Sequence, residues 1–300
     1  MVQKVILFFI ICSVCLLSSC VSKEMKEVGG MAHGNHDLKP KVNTVPEARF
    51  PLDTSWKTEY LLEIKGESPF LEKRTVVSMQ KWRDEIIEFS KTQETVFING
   101  PNKKQVALTF DDGPDSTVTS AVIGVLDQYG VKGNFFFLGS EAQRHPMVVK
   151  EAYEKGHLVL SHSYHHVQLD KLGEAEIRNE IKQAGAVIEA IIGKEPALVR
   201  TPYGSTNELV ADVAKENNYS IILWSIDSLD WAQKNTDVIY SNVVKNIRNG
   251  DIILMHADSD EYDTYEALPS IIEELQGLGY EIVDLETLLG VPAYQENQKS

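Results

Sequence analysis

The sequence predicts an α/β protein built on a mainly parallel sheet, and three observations carry that expectation. From residue 106 onward, short β-rich runs alternate with helical stretches, the order that produces parallel strands. The main amphipathic stretches, residues 118–129, 174–192 and 238–249, each stop at a glycine (Gly130, Gly193, Gly250), the usual residue just past a helix end. The β-rich runs number seven: residues 106–110, 134–138, 158–160, 198–200, 221–225, 252–255 and 281–283. Seven such units fit a closed or nearly closed (β/α) barrel, with an open doubly wound sheet as the alternative.

Ahead of these units the reading is less regular. Residues 60–64 look like a strand, and residues 79–89 place Trp82, Ile86 and Phe89 at helical spacing. This stretch is either a small extra domain or an N-terminal extension packed on the main one. Composition agrees with a folded protein: 300 residues, 43% hydrophobic, with 19 Gly and 11 Pro. A net charge of −15 excludes a nucleic-acid binder, which would carry a basic footprint.

Near the start of the sequence Lys4 precedes an apolar or small-residue run of 13 residues from Val5 to Leu17. That is short for a bilayer span and right for a signal-peptide core. Leu17-Ser18-Ser19-Cys20 resembles the bacterial lipobox, in which the cysteine is lipidated and the preceding peptide removed. Cleavage there removes Cys12 and Cys15, leaves Cys20 alone and allows no intrachain disulfide. The expected organisation is a lipoprotein signal peptide (1–19), the lipidated Cys20 with a flexible tether (20–50), the extension or small domain (51–100), a catalytic domain (101–292) and a tail (293–300). His33 and His36 in the tether are expected to be solvated. The mature protein is expected outside the cytoplasm, held on a membrane through Cys20.

Chemistry collects just after the strands. The first run ends in Thr109-Phe110-Asp111-Asp112-Gly113-Pro114, and the third leads into Ser161-His162-Ser163-Tyr164-His165-His166. The fourth gives Arg200-Thr201-Pro202-Tyr203-Gly204, the fifth Asp227-Ser228-Leu229-Asp230-Trp231, and the sixth Leu254-Met255-His256. Strand C-termini are where parallel α/β folds build sites. Two histidines four apart lie on one face of a helical turn, and with one carboxylate they make a three-ligand site for a divalent ion that keeps a position for water or substrate. Such an ion acidifies water and polarises a carbonyl. Hydrolysis then needs a carboxylate base and an acid for the leaving group; Asp111 and His256 suit those parts.

These five motifs, T-F-D-D-G-P, H-S-x-x-H, R-x-P-Y-G, D-x-x-D-W and L-x-H, occur in order across residues 100–290 and resemble those of the polysaccharide deacetylase family, also called carbohydrate esterase family four. The resemblance implies a distorted (β/α) barrel that removes acetyl groups from carbohydrate polymers. It implies Asp111 as general base, Asp112, His162 and His166 as metal ligands, and the Tyr203 N–H as oxyanion donor. Arg200 would orient Asp111, Asp230 would tune the acid His256, and Leu254 and Trp231 would wall the acetyl-methyl pocket. Three positions depart from the pattern. His165 offers a second ligand register, Ser161 stands where Asn is common, and Ala257 where Asp often follows the histidine.

The metal is expected to be zinc, with cobalt, nickel or manganese as alternatives. The expected reaction is attack by metal-bound water on the N-acetyl groups of an extracytoplasmic N-acetylglucosamine polymer, with peptidoglycan first. The run 226–231 resembles the peptidoglycan-acting members most. The alternatives are exported poly-N-acetylglucosamine or chitooligosaccharide, O-acetylated xylan, and a catalytically silent glycan-binding lipoprotein.

Overall fold

A computed structural model describes residues 54–296. The signal peptide, Cys20, the tether with His33 and His36, and residues 297–300 lie outside the described residues. The described residues open with a helical turn, α1 (Trp56–Glu59), and a long helix, α2 (Lys73–Thr92). There follow β1 (Val96–Phe97), β2 (Gln105–Asp111), α3 (Val118–Tyr129), β3 (Gly133–Phe137), α4 (Gly139–Arg144), α5 (Pro146–Glu154) and β4 (Leu158–Ser161). The second half holds α6 (Glu174–Ile192), β5 (Leu198–Val199), α7 (Glu208–Glu216), β6 (Ser220–Ile222), β7 (Ile226–Asp227) and α8 (Thr236–Val244). It closes with β8 (Ile252–His256), α9 (Tyr262–Gly277), β9 (Glu281–Ile282) and α10 (Leu285–Leu289).

Every strand pair is parallel, in the order β1-β6-β5-β4-β3-β2-β8-β7, and β9 joins the start of β2. This is the curled parallel sheet of a distorted (β/α) barrel. The strands number nine among the described residues, not seven. Of the run 221–225 only Ile221 and Ile222 lie in β6, and β7 begins just beyond it, because Leu223 hydrogen-bonds back to Phe97 while Ser225 bonds forward to Ile252. The two-residue β1 is too short to show an alternation.

The ends of the strand order, β1 and β7, are joined by the extension. Beyond β1, the Asn99 side chain accepts a hydrogen bond from the Leu62 N–H (3.0 Å) and donates to the Tyr60 carbonyl (3.1 Å). Three residues on, the Lys65 N–H donates to Ser225 O (2.9 Å) and Lys65 O accepts from the Asp227 N–H (2.8 Å). The stretch expected as a strand at 60–64 is therefore not one, and a single parallel bridge follows it, Lys65 to Ile226. Its backbone partners are side-chain amide and strand end in turn, so no ladder forms. The helix expected over 79–89 runs from 73 to 92.

Side-chain alternation sorts the core into two layers. On β2, Val106, Leu108 and Phe110 pack outward with Phe135 and Phe137 of β3, Ile253 and Met255 of β8, and the helices α3 and α9. Phe110, Phe135 and Phe137 stack in series, with centroids 5.2 and 5.4 Å apart. The intervening residues Thr109 and Asp111 face the other side, as do Phe136, Leu254 and His256. Gly130 and Gly193 end α3 and α6 in the left-handed conformation (φ 65° and 74°). Gly250 differs from expectation. α8 ends at Val244, and Gly250 (φ 77°) instead serves the entry to β8, where a Cβ would meet the carbonyls of Gly100 and Pro101 at 2.6 and 2.5 Å.

Candidate active site

The ends of β2, β4, β5 and β8 and the loop after β7 bring the five motifs together. On β2, Thr109 and Asp111 share one face. Arg200, just past β5, lies fully buried beneath them. Its guanidinium donates to Asp111 Oδ1 (2.7 Å), Thr109 Oγ1 (2.8 Å) and the carbonyls of Ile222 and Leu223 (3.0 Å each). The Phe136 ring covers it at 4.3 Å. A buried charge pair survives only when its remaining donors are satisfied, and this one meets that condition. Asp111 is thus held by one oxygen. The other, Oδ2, lies 3.8 Å from His162 Nε2.

Asp112 turns out of the strand at φ 64°. Its Oδ1 lies 3.3 Å from His166 Nε2 and 3.7 Å from His162 Nε2. His162 Nδ1 lies 2.9 Å from the Arg200 carbonyl; a carbonyl only accepts, so Nδ1 carries the proton and Nε2 presents a lone pair. Burial, then His162, lowers the pKa of His166 below 6.5, which favours its neutral, ligating form. Asp112 Oδ1 is buried with no hydrogen-bond partner. An orphaned carboxylate oxygen facing two imidazole nitrogens, all within 4.8 Å of one another, fits a divalent cation with nitrogen and oxygen ligands.

The histidine pair does not sit on a helical turn, contrary to the spacing argument. Residues 162–168 are irregular, and Ser163 and His166 adopt φ 66° and 59°. The loop is held instead by Glu180, buried on α6, which accepts the N–H groups of Tyr164 (3.0 Å) and His165 (2.8 Å). Ser163 Oγ accepts the His166 N–H (3.2 Å). The same Glu180 takes His165 Nδ1 at 2.7 Å, which turns that ring away from Asp112 and leaves His166 in the cluster.

Opposite, His256 at the end of β8 pairs with Asp230. Nδ1 lies 2.8 Å from Asp230 Oδ1, and Oδ2 accepts the His256 N–H and the Thr264 hydroxyl, both at 2.7 Å. Burial opposes charge on His256, but Asp230, with help from Asp112 and Asp111, outweighs it and raises the pKa from 6.5 to about 10. Burial also opposes charge on Asp230, yet His256 and Thr264 hold its pKa below the ordinary value.

The rim carries the remaining predicted residues. Tyr203 sits in a single helical turn at φ 60°, its ring 60% exposed and 4.6 Å from that of His166. Trp231 is 44% exposed, and its indole N–H donates to Asp227 Oδ1 (3.3 Å). Leu254 is buried two residues before His256, on the same side of β8. Five of the six non-glycine residues with positive φ among the described residues, Asp112, Ser163, His166, Tyr203 and Leu229, lie in these loops. Such conformations cost roughly 1–3 kcal/mol each and gather where a site fixes them.

The profile of the polysaccharide deacetylase family matches residues 98–222. A peptidoglycan-N-acetylglucosamine deacetylase of Bacillus cereus is 38% identical over 191 residues, 63% of this chain and 89% of the relative. The chain belongs to the polysaccharide deacetylase family. Among solved polysaccharide deacetylases, the Bc1960 peptidoglycan N-acetylglucosamine deacetylase superposes with a TM-score of 0.67 at 34% identity, over 69% of this chain and 98% of that one. A carbohydrate esterase family four pseudoenzyme from Bacillus anthracis superposes at 0.62 and 28% identity, over 67% of this chain and 70% of that one.

In this member of the polysaccharide deacetylase family the cluster also rests on residues to which the sequence alone assigned no role. Thr109 bridges Arg200 and the Ile253 carbonyl, and its place two before Asp111 on a strand was a readable signal. Asp227 caps its own loop through the Leu229 N–H (2.9 Å), and burial raises its pKa to about 6. Thr264 and Glu180 come from helices distant in sequence, and no local pattern marks them.

Proposed function

We propose that the chain is a metal-dependent hydrolase that removes N-acetyl groups from N-acetylglucosamine residues of an extracytoplasmic polysaccharide, peptidoglycan foremost. The observation that carries this reading is one cleft holding three parts: the buried Asp111–Arg200 pair, the orphaned Asp112 oxygen facing His162 and His166, and the His256–Asp230 pair. The names of the relatives supply the substrate class.

Asp112, His162 and His166 would hold the cation, with zinc first and cobalt, nickel or manganese as alternatives. Bound there, such a cation supplies Lewis-acid polarisation and makes nearby water more acidic. Asp111, fixed through Oδ1 by Arg200, accepts the proton of the attacking water on Oδ2. The Tyr203 N–H donates to the oxyanion of the tetrahedral intermediate, a contact worth most in the transition state. His256 is protonated at neutral pH and gives its proton to the departing amine. Asp230 fixes the ring so that Nε2–H is the proton released. Trp231 and Leu254 bound the space for the acetyl methyl. Cys20 carries the lipid that holds the enzyme on the membrane beside its substrate.

The pseudoenzyme neighbour favours one second reading, a silent glycan-binding lipoprotein. Against it, the base, the acid and the three candidate ligands are all present. The test is an acetate-release panel across peptidoglycan, chitooligosaccharide, poly-N-acetylglucosamine and acetylxylan, run with each of the four metals. Release from peptidoglycan above the others is expected. Preference for another glycan moves the substrate assignment, and release from none leaves the binding reading.

A further inference from the structure

The helix α2 lies outside the segment that carries the five motifs, yet it touches the loop that bears Tyr203. The Trp82 indole N–H donates to the Gly204 carbonyl at 3.3 Å. The fit is close: a Cβ on Gly204, which sits at φ 64°, would meet Trp82 Cζ2 at 2.3 Å and Trp224 Cη2 at 3.1 Å. Trp82 also packs on Trp224, with centroids 5.2 Å apart, and Trp224 covers the Arg200 guanidinium at 5.8 Å. One side chain of α2 therefore braces both the Tyr203-Gly204 turn and the aromatic wall behind Arg200.

We propose that Trp82 is a positioning residue for the Tyr203 backbone amide, which makes α2 a working part of the active site. This inference rests on the reading of Tyr203 N–H as oxyanion donor. Tyr203 and Gly204 are consecutive left-handed residues, and a non-glycine residue holds that conformation only where its surroundings dictate it. The Tyr203 ring, mostly exposed, supplies little restraint. The N–H groups of Gly204 and Ser205 close the turn from within on the carbonyls of Thr201 and Pro202 (3.0 Å each), and Trp82 holds it from outside, through the Gly204 carbonyl and the contact that excludes a Cβ. Without Trp82, Tyr203 relaxes toward negative φ and its N–H swings off the oxyanion position.

An oxyanion donor acts in the transition state, so its displacement lowers kcat and leaves KM unchanged. The experiment measures acetate-release kinetics, metal content and melting temperature for the full chain, Trp82→Ala and Trp82→Phe. Trp82→Ala should lose about 10–100-fold in kcat, short of the roughly 10²–10³ for a deleted donor, with KM within about twofold of wild type and metal content equal. Trp82→Phe keeps the ring face without the N–H, and its kcat should fall between the two. Wild-type kcat in Trp82→Ala, or a loss confined to KM or matching the unfolded fraction, overturns the proposal. If the alanine variant does not fold, Trp82→Phe decides: reduced kcat at constant KM supports the proposal, and wild-type kinetics overturn it. A wild type that releases no acetate fails the functional reading and this inference together; an active wild type matched by Trp82→Ala fails this inference alone.

Discussion

Behind His256 stands the Asp230 carboxylate, itself fixed by the His256 N–H, the Thr264 hydroxyl and the Trp231 N–H, and it favours the protonated ring. With His256 as acid, activity persists while the ring is protonated and falls as pH rises through its pKa, which lies above the ordinary 6.5 and near 10. A cation on Asp112 withdraws part of that support, so the alkaline limb of acetate release should fall between those values. Asp230→Asn removes the largest favourable influence and should shift the limb to lower pH. An unmoved limb in that variant would show that another group sets it. At this scale much was legible in the sequence. Asp111, Asp112, His162, Arg200, Tyr203, Asp230 and His256 were singled out because they follow strand ends, and the fold brings them to one cleft. The choice between His165 and His166 was not legible from residue spacing alone, since it depends on Glu180, fourteen or more residues away on α6. The helical turn expected for the pair was replaced by a loop with two positive φ angles, which spacing does not encode.

Among elements, the long helices were readable because apolar period and a terminal glycine agree, and α3 and α6 have the expected bounds. The short strands β5 and β9 were read at 198–200 and 281–283, but β1 and β7 were not: two residues show no repeated alternation, and the existence of such strands depends on neighbours in space. Gly250 misled for a related reason: it serves a close backbone approach to Gly100 rather than a helix end. Of the longer strands, β2 and β8 carry site residues, and the Phe110–Phe135–Phe137 stack holds β2 and β3 in register behind them. Phe135 is fully buried at the centre of that stack. Phe135→Ala should destabilise the fold by about 3–5 kcal/mol, read as a lower urea midpoint with an unchanged slope. A cost under about 1 kcal/mol would mean that the outer layer collapses around the gap and does not brace the site.

Across the whole molecule, the sheet curls with its two ends joined by residues 60–66 rather than by a strand pair. Strands far apart in sequence meet at a single cleft, which holds the Asp111–Arg200 pair, the Asp112, His162 and His166 cluster and the His256–Asp230 pair. Composition carried no information on this closure, which rests on two hydrogen-bonded contacts from an irregular segment. The central claim is that Asp111 is a base acting beside a cation held by Asp112, His162 and His166. Its most direct test is acetate release from N-acetylated glycan by the metal-loaded full chain and by Asp111→Asn, with metal content measured on both. The expected result is release by the wild type and a loss of at least about 10²-fold in the variant with its metal retained. An Asp111→Asn protein as active as wild type, or a metal-loaded wild type that releases no acetate, would contradict the account.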